Sequence, residues 1–251
     1  MAATEPHGLH VVRHDGAEPP LIVVHGAMDR SISFGRMVRS LASRAVVRYD
    51  RRGYARSRDV GTGDLGDHVS DLLDLMAGRP AVLLGHSVGG VISLVAAAQP
   101  RTSVLGVLAY EAPMPWLDWW PREREGSADG PRSDPADEAE AFMRRMIGDR
   151  MWARLPASTR EARREEGEAL RADIASVSGP LAPFDPALIS VPILSVAGSE
   201  TTWYHRRAAE ELAADAADGE LAVLQGATHG GHLTHPADLA GIVRRFVEGL
   251  T

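Results

Sequence analysis

Short apolar runs alternate with amphipathic stretches along this chain. Leu21 to Val24 reads as a strand ending in His25-Gly26, and Ala45 to Tyr49 as one ending in Asp50-Arg51-Arg52-Gly53. Leu65, Val69, Leu72, Leu73 and Met76 recur at helical spacing. Ala81 to Leu84 predicts a strand followed by an apolar helix, Val91 to Ala98. Val104 to Tyr110, Val191 to Val196 and Leu221 to Leu224 read as further strands, with a helix from about Arg206 to Ala216 between the last two. The final helix carries Leu239, Ile242, Val243, Phe246 and Leu250 on one face; Pro236 suits its first position and Asp238 its first turn. His10 to His14 adds an antiparallel edge strand. Strands apolar on both faces, alternating with helices, predict a parallel sheet covered on both sides.

One segment, from about Pro113 to Pro186, carries no strand signal. Residues 121–138 are charged and rich in Gly and Pro, and read as a loop. Asp134-Pro135 marks a helix start, with Phe142, Met143, Met146 and Ile147 as the apolar side. A second charged helix is expected from roughly Ser158 to Val177. Long insertions in compact domains commonly serve as lids. The expected organisation is a core of residues 1–112 and 186–251 with a helical cap over 113–185.

Composition narrows the chemistry. The 251 residues are 44% hydrophobic and 24% charged, with net charge −7, the balance of a soluble globular domain. There is no Cys, so disulfides and thiolate nucleophiles are excluded. All 27 basic residues are Arg, which removes Schiff-base and Ser–Lys chemistry. An acidic chain without a basic block argues against nucleic acid as a partner. The start, MAATEPHGLH, lacks the features of a signal peptide, and no run of 18 apolar residues occurs, so a cytoplasmic protein with no membrane partner is expected.

The sharpest motif is Gly85-His86-Ser87-Val88-Gly89, a G-x-S-x-G placed after a strand and before a helix. A strained turn there points a Ser hydroxyl out of the sheet, and Val88 offers a backbone N–H at a helix N-terminus. His25-Gly26-Ala27 ends an earlier strand and can offer a second N–H, from Ala27. His229, after the last strand, can reach Ser87 across the carboxyl edge of the sheet. His229, His232 and His235 stand at intervals of three, but the Gly230-Gly231 pair argues against a helix, so no metal site is expected and His232 and His235 read as hydrogen-bonded loop histidines. Glu111, ending the apolar run Val104 to Tyr110, and Glu200, following the strand Val191 to Val196, compete for the acid that would hold an imidazole tautomer. Asp50 reads as a structural ion-pair partner of Arg51 and Arg52. Gly61-Thr-Gly-Asp-Leu-Gly66 spells G-x-G-x-x-G but follows Arg56-Ser-Arg-Asp rather than a strand, so it reads as a turn before a helix. All five Trp lie in the insertion or after Glu200. Trp116, Trp120 and Trp152, with Met28, are the candidate substrate-binding side chains.

Taken in order, His25-Gly26, Asp50 to Gly53, Gly85 to Gly89, Pro192 to Gly198 and His229 to Pro236 resemble the α/β-hydrolase superfamily. The resemblance covers most of the chain outside the insertion. It implies an α/β fold with a mostly parallel sheet of about eight strands, a helical cap, Ser87 as nucleophile, His229 as base, and Ala27 and Val88 as oxyanion hole. Family members usually carry Asp where this chain has Thr201. Tyr110-Glu111-Ala-Pro-Met-Pro-Trp116 resembles one branch of haloalkane dehalogenases, in which a Glu at this position serves as the acid. Glu111 is therefore the expected acid and Glu200 the alternative. The implied activity is hydrolysis of a small, apolar or aromatic carboxylic ester or lactone through an acyl-enzyme, with no cofactor. Thioester, C–C bond or cofactor-free peroxide chemistry on the same residues, and non-catalytic ligand binding, are the alternatives.

Overall fold

The computed structural model describes residues 6–41, 43–121 and 134–250. Seven strands form one sheet: β1 (Val11–His14), β2 (Ala17–Val24), β3 (Arg44–Tyr49), β4 (Ala81–His86), β5 (Val104–Tyr110), β6 (Ile193–Gly198) and β7 (Gly219–Leu224). Their order is β1-β3-β2-β4-β5-β6-β7. Only β1 runs antiparallel, against β3. The count among the described residues is seven rather than about eight. All of β4 is buried, as expected for a central strand of a sheet covered on both faces.

The helices are α1 (Gly35–Arg39), α2 (Leu65–Met76), α3 (Val88–Ala97), α4 (Pro135–Ile147), α5 (Asp149–Arg154), α6 (Ala157–Arg164), α7 (Gly167–Val177), α8 (Trp203–Asp215), α9 (Gly231–Thr234) and α10 (Pro236–Gly249). Two apolar clusters sandwich the sheet. One joins it to α2 and α3 through Leu72, Val91 and Leu94; the other joins it to α1 and α10 through Met37, Leu239 and Val243. Asp64 caps α2 in a reciprocal capping box with Asp67, so the glycine-rich run before it is a turn that starts a helix. Among the described residues no helix is long and apolar enough to cross a membrane.

Helices α4–α7 occupy the segment between β5 and β6. The loop expected over 121–138 falls mostly on residues 122–133, outside the described residues. Asp134 does cap α4, accepting from the Ala136 amide. The single charged helix expected over Ser158 to Val177 is two helices. The chain breaks at Glu166, whose buried carboxylate is drawn to Arg30 (2.9 Å) and the Ala55 amide (2.9 Å). A Cβ on Gly167 would lie 2.1 Å from the Pro135 carbonyl, so α7 crosses the start of α4 at backbone contact.

The Asp50–Gly53 stretch fastens these helices to the sheet. Arg51 is fully buried and forks onto Asp173 of α7 at 2.9 and 2.7 Å, while Tyr54 donates to the same carboxylate at 2.6 Å. Arg52 forks onto Asp71 of α2 at 2.7 and 2.8 Å. Asp50 is not the partner of either arginine. Its oxygens accept backbone N–H groups of Ser31 (2.8 Å) and Arg56 (3.3 Å), because two loops turn back over the end of β3 and need acceptors there.

Candidate active site

Ser87 occupies the turn between β4 and α3 with φ 54° and ψ −128°, a conformation costly for any residue with a Cβ. Close approach of backbone imposes it. A Cβ on Gly85 would meet the Gly89 carbonyl at 2.2 Å, and one on Gly89 would meet the Val24 carbonyl at 2.2 Å. The Ser87 amide is held by the Tyr110 carbonyl at 2.9 Å. Val88 opens α3, with its amide in the first turn. A Cβ on Gly26 would lie 2.9 Å from Ser87 Cβ, so the peptide leading into Ala27 passes directly beside Ser87. Met28 is buried, also with positive φ (54°), and its carbonyl accepts from Arg163.

Glu111 follows β5, the strand paired with β4. Its φ is 49° and its side chain is fully buried. One oxygen, Oε1, accepts from the Gly198 amide at 2.8 Å. Oε2 accepts from Nδ1 of His229 at 2.7 Å and from the Thr201 hydroxyl at 2.9 Å. Burial raises the carboxyl pKa, but the hydrogen bond and charge of His229 and the Gly198 amide outweigh it, leaving the group below its ordinary range. With Nδ1 donating to Glu111, Nε2 of His229 is the ring's free acceptor. Among the described residues no hydrogen bond joins Ser87 Oγ to His229; such contacts often close only when substrate is bound.

Glu200 stands apart. It is exposed at the turn after β6, and its backbone amide, not its carboxylate, is engaged, with the Ala227 carbonyl at 2.9 Å. Thr201, one residue on, reaches Glu111 instead. His205 on α8 stacks on His229 with ring centres 4.5 Å apart and 17° between planes, and the edge of Trp120 meets His205 at 5.4 Å. Burial, then the charge of His229, hold the His205 pKa down to about 3. The sequence marks Thr201 only as a departure from the usual residue and gives neither it nor His205 a role at the site. The position usually held by Asp was the signal for the first; nothing local marks the second.

The aromatic candidates separate. Trp120 joins the ring chain that ends on His229. Trp116 packs edge-on against Phe184 at 5.7 Å and lines a cavity of about 460 Å³ whose walls include neither Ser87 nor His229. Trp152 is not available to a ligand. It has no exposed surface, it packs with Met28, Tyr54, Met143 and Leu170, and its indole N–H donates to Glu140 at 3.2 Å. A large side chain in a small helical layer serves first as that layer's core.

The three C-terminal histidines also separate. His229 faces Glu111. His235 contacts the Thr234 hydroxyl at 2.8 Å. His232 is not a loop residue: it sits buried on α9, a one-turn helix that forms despite Gly230-Gly231, with Nε2 3.2 Å from Asp29 Oδ2 and, among the described residues, no hydrogen-bond partner for Nδ1. Among the described residues, two groups of three side chains converge closely enough to hold a cation: Glu111, His205 and His229, and separately Asp29, His86 and His232.

The chain belongs to the alpha/beta hydrolase family, whose model matches residues 21–242. It is 25% identical over 217 residues to the pimeloyl-[acyl-carrier protein] methyl ester esterase of Yersinia pseudotuberculosis, covering 79% of this chain and 81% of that one. Its fold resembles a thermophilic esterase from Thermogutta terrifontis, with TM-score 0.72, 19% identity and coverage of 96% and 93% of the two chains. It also resembles the enol-lactonase from Burkholderia xenovorans LB400, with TM-score 0.71, 21% identity and 96% of each chain covered. At such identities the two structures speak for the fold.

Proposed function

We propose that this hydrolase cleaves a carboxylic ester or lactone through an acyl-enzyme on Ser87. The observation that carries the reading is the 2.7 Å hydrogen bond from His229 to the buried Glu111, whose strand lies beside the one ending at Ser87. Ser87 Oγ attacks the carbonyl carbon while Nε2 of His229 takes its proton. Glu111 stabilises the resulting imidazolium. The oxyanion accepts N–H groups from Val88 and Ala27, the first supported by its place at the start of α3 and the second by the contact of Gly26 with Ser87. His229 then gives the proton to the departing oxygen. Water, deprotonated by the same imidazole, releases the acid and restores Ser87. Trp120, tied to His229 through His205, is the side chain expected to favour apolar or aromatic substrates, whereas Met28 is buried in the cluster that holds Trp152. The names of the Yersinia relative (a methyl ester esterase) and of the two structural neighbours (an esterase and an enol-lactonase) agree with this class.

The test combines labelling and turnover. A fluorophosphonate should label the wild-type chain and not Ser87→Ala, and Ser87→Ala should lose about 10⁶ in kcat on p-nitrophenyl esters or lactones, the usual cost of deleting such a nucleophile. Turnover by Ser87→Ala near the wild-type rate would overturn the mechanism.

A further inference from the structure

Behind Ser87 lies a second constellation that the acyl-transfer scheme leaves unused. Asp29 follows β2, His86 is the last residue of β4, and His232 lies on α9. His86 and His232 are buried, at 5% and 3% exposure. Among the described residues, His86 Nδ1 and His232 Nδ1 are buried without a hydrogen-bond partner, while Asp29 Oδ2 and His232 Nε2 have no partner beyond the ion pair they make with each other. Orphaned buried polar atoms of this kind are rare and costly. His232 Nε2 lies 3.2 Å from Asp29 Oδ2, and His86 Nδ1 lies 3.9 Å from the same oxygen.

The protonation pattern is constrained. His86 Nε2 faces the His229 carbonyl at 2.9 Å and must donate to it, which leaves a lone pair on Nδ1. Asp29 Oδ2 is an acceptor. Two acceptors thus converge on the edge of His232, and a proton on His232 alone satisfies at most one of them. We propose that Asp29, His86 and His232 bind one divalent cation of the zinc class, as a structural site separate from the Ser87–His229 centre.

The donor set of two imidazoles and one carboxylate suits zinc. Bonds of ~2.0–2.1 Å in a tetrahedron put ligand atoms roughly 3.3 Å apart. The Asp29–His232 separation already has that length, and the His86–Asp29 pair must close by about half an ångström. Two of the three side chains have the outer hydrogen-bond partner a metal ligand needs, and the third is fixed by ring stacking alone. His86 is oriented by the His229 carbonyl, Asp29 Oδ1 accepts from the Ser33 hydroxyl, and His232 is stacked on Phe34 at 4.6 Å. Asp29, with 14% of its side chain exposed, is the ligand nearest to solvent and gives the ion a way in. Bound there, the ion ties together the loop bearing Ala27, the turn bearing Ser87 and the segment bearing His229. It stabilises the fold by mass action and takes no part in bond breaking.

The experiment uses tag-free protein stripped by chelator, reloaded with Zn²⁺ and freed of excess by gel filtration. One zinc per chain and a raised Tm are expected. Asp29→Asn and His232→Gln should lose the ion, whereas Glu111→Gln and His205→Gln should keep it. A wild-type crystal grown with Zn²⁺ should show anomalous scattering between Asp29 and His232, which locates the ion even if a variant fails to fold. No retained zinc, zinc retained by folded Asp29→Asn and His232→Gln, or anomalous scattering at Glu111 and His229 instead would each overturn the proposal. The first of these would leave the cluster as a plain histidine–aspartate ion pair.

Discussion

Replacing Glu111 by Gln changes one oxygen to NH₂ and almost nothing in volume, yet the geometry leaves the amide no workable orientation. If its nitrogen stands at the Oε2 position, its N–H faces Nδ1 of His229, now 2.7 Å from an acceptor. The ring can keep that contact only as the other tautomer, with Nδ1 accepting and the proton on Nε2, where it could not take the proton that the proposed mechanism has it remove from Ser87. If the nitrogen stands at Oε1 instead, two N–H donors face each other across the 2.8 Å contact with the Gly198 amide. The first arrangement avoids that clash and should dominate. A wrong tautomer in a triad costs ~10⁴ in kcat, about 5 kcal/mol of transition-state stabilisation. Thr201→Val removes one of the two donors on Oε2 and should cost far less, roughly tenfold, the net worth of one hydrogen bond to a charged group. Glu200→Gln should cost little, since that side chain is exposed. The assay is kcat and KM on p-nitrophenyl acetate, with circular dichroism and thermal melts to confirm that each variant is folded. Glu111→Gln retaining more than a tenth of wild-type kcat, or Glu200→Gln falling as far, would refute the reasoning.

Two further predictions concern stability. Asp173→Asn leaves Arg51 buried without its counter-charge and should cost ~3–5 kcal/mol, read by urea denaturation at constant m-value; a loss under 1 kcal/mol would mean that the pair does not hold α7 to the core. Burial, then the charge of Arg51, hold His25 down to about 4, and burial also lowers His86 and His205. The unfolded chain takes up these protons near ~6.5 while the folded chain refuses them, so stability is full above that pH and falls as pH drops toward 4, by roughly 3 kcal/mol for His25 alone. Tm measured from pH 7.5 to 4.5 should fall steadily, and a level Tm would contradict this.

Much of the fold was legible because it rests on local chemistry. Apolar runs too short for helices and bounded by Gly and Asp read as buried strands, and Ser87 was visible because the backbone contacts around it admit only Gly at positions 85 and 89. Capping residues such as Asp64 and Asp134 mark helix starts for the same local reason.

Tertiary structure decided what depends on distant partners. Glu111 and Glu200 look alike along the chain; they differ because the end of β5 is roofed by Gly198, Thr201 and His229, while the turn after β6 faces water. Arg51 and Asp50 are neighbours in sequence, but Arg51 finds Asp173 across 122 positions and Asp50 finds backbone amides. Trp152 and Trp120 are both aromatic residues of one insertion, and only packing made the first a core side chain and set the second against His205. His232, three residues after His229, was separated from it by a single helical turn. Spacing along a chain fixes which faces of an element agree; it does not fix which charges meet when the elements close on one another, and those meetings define the site.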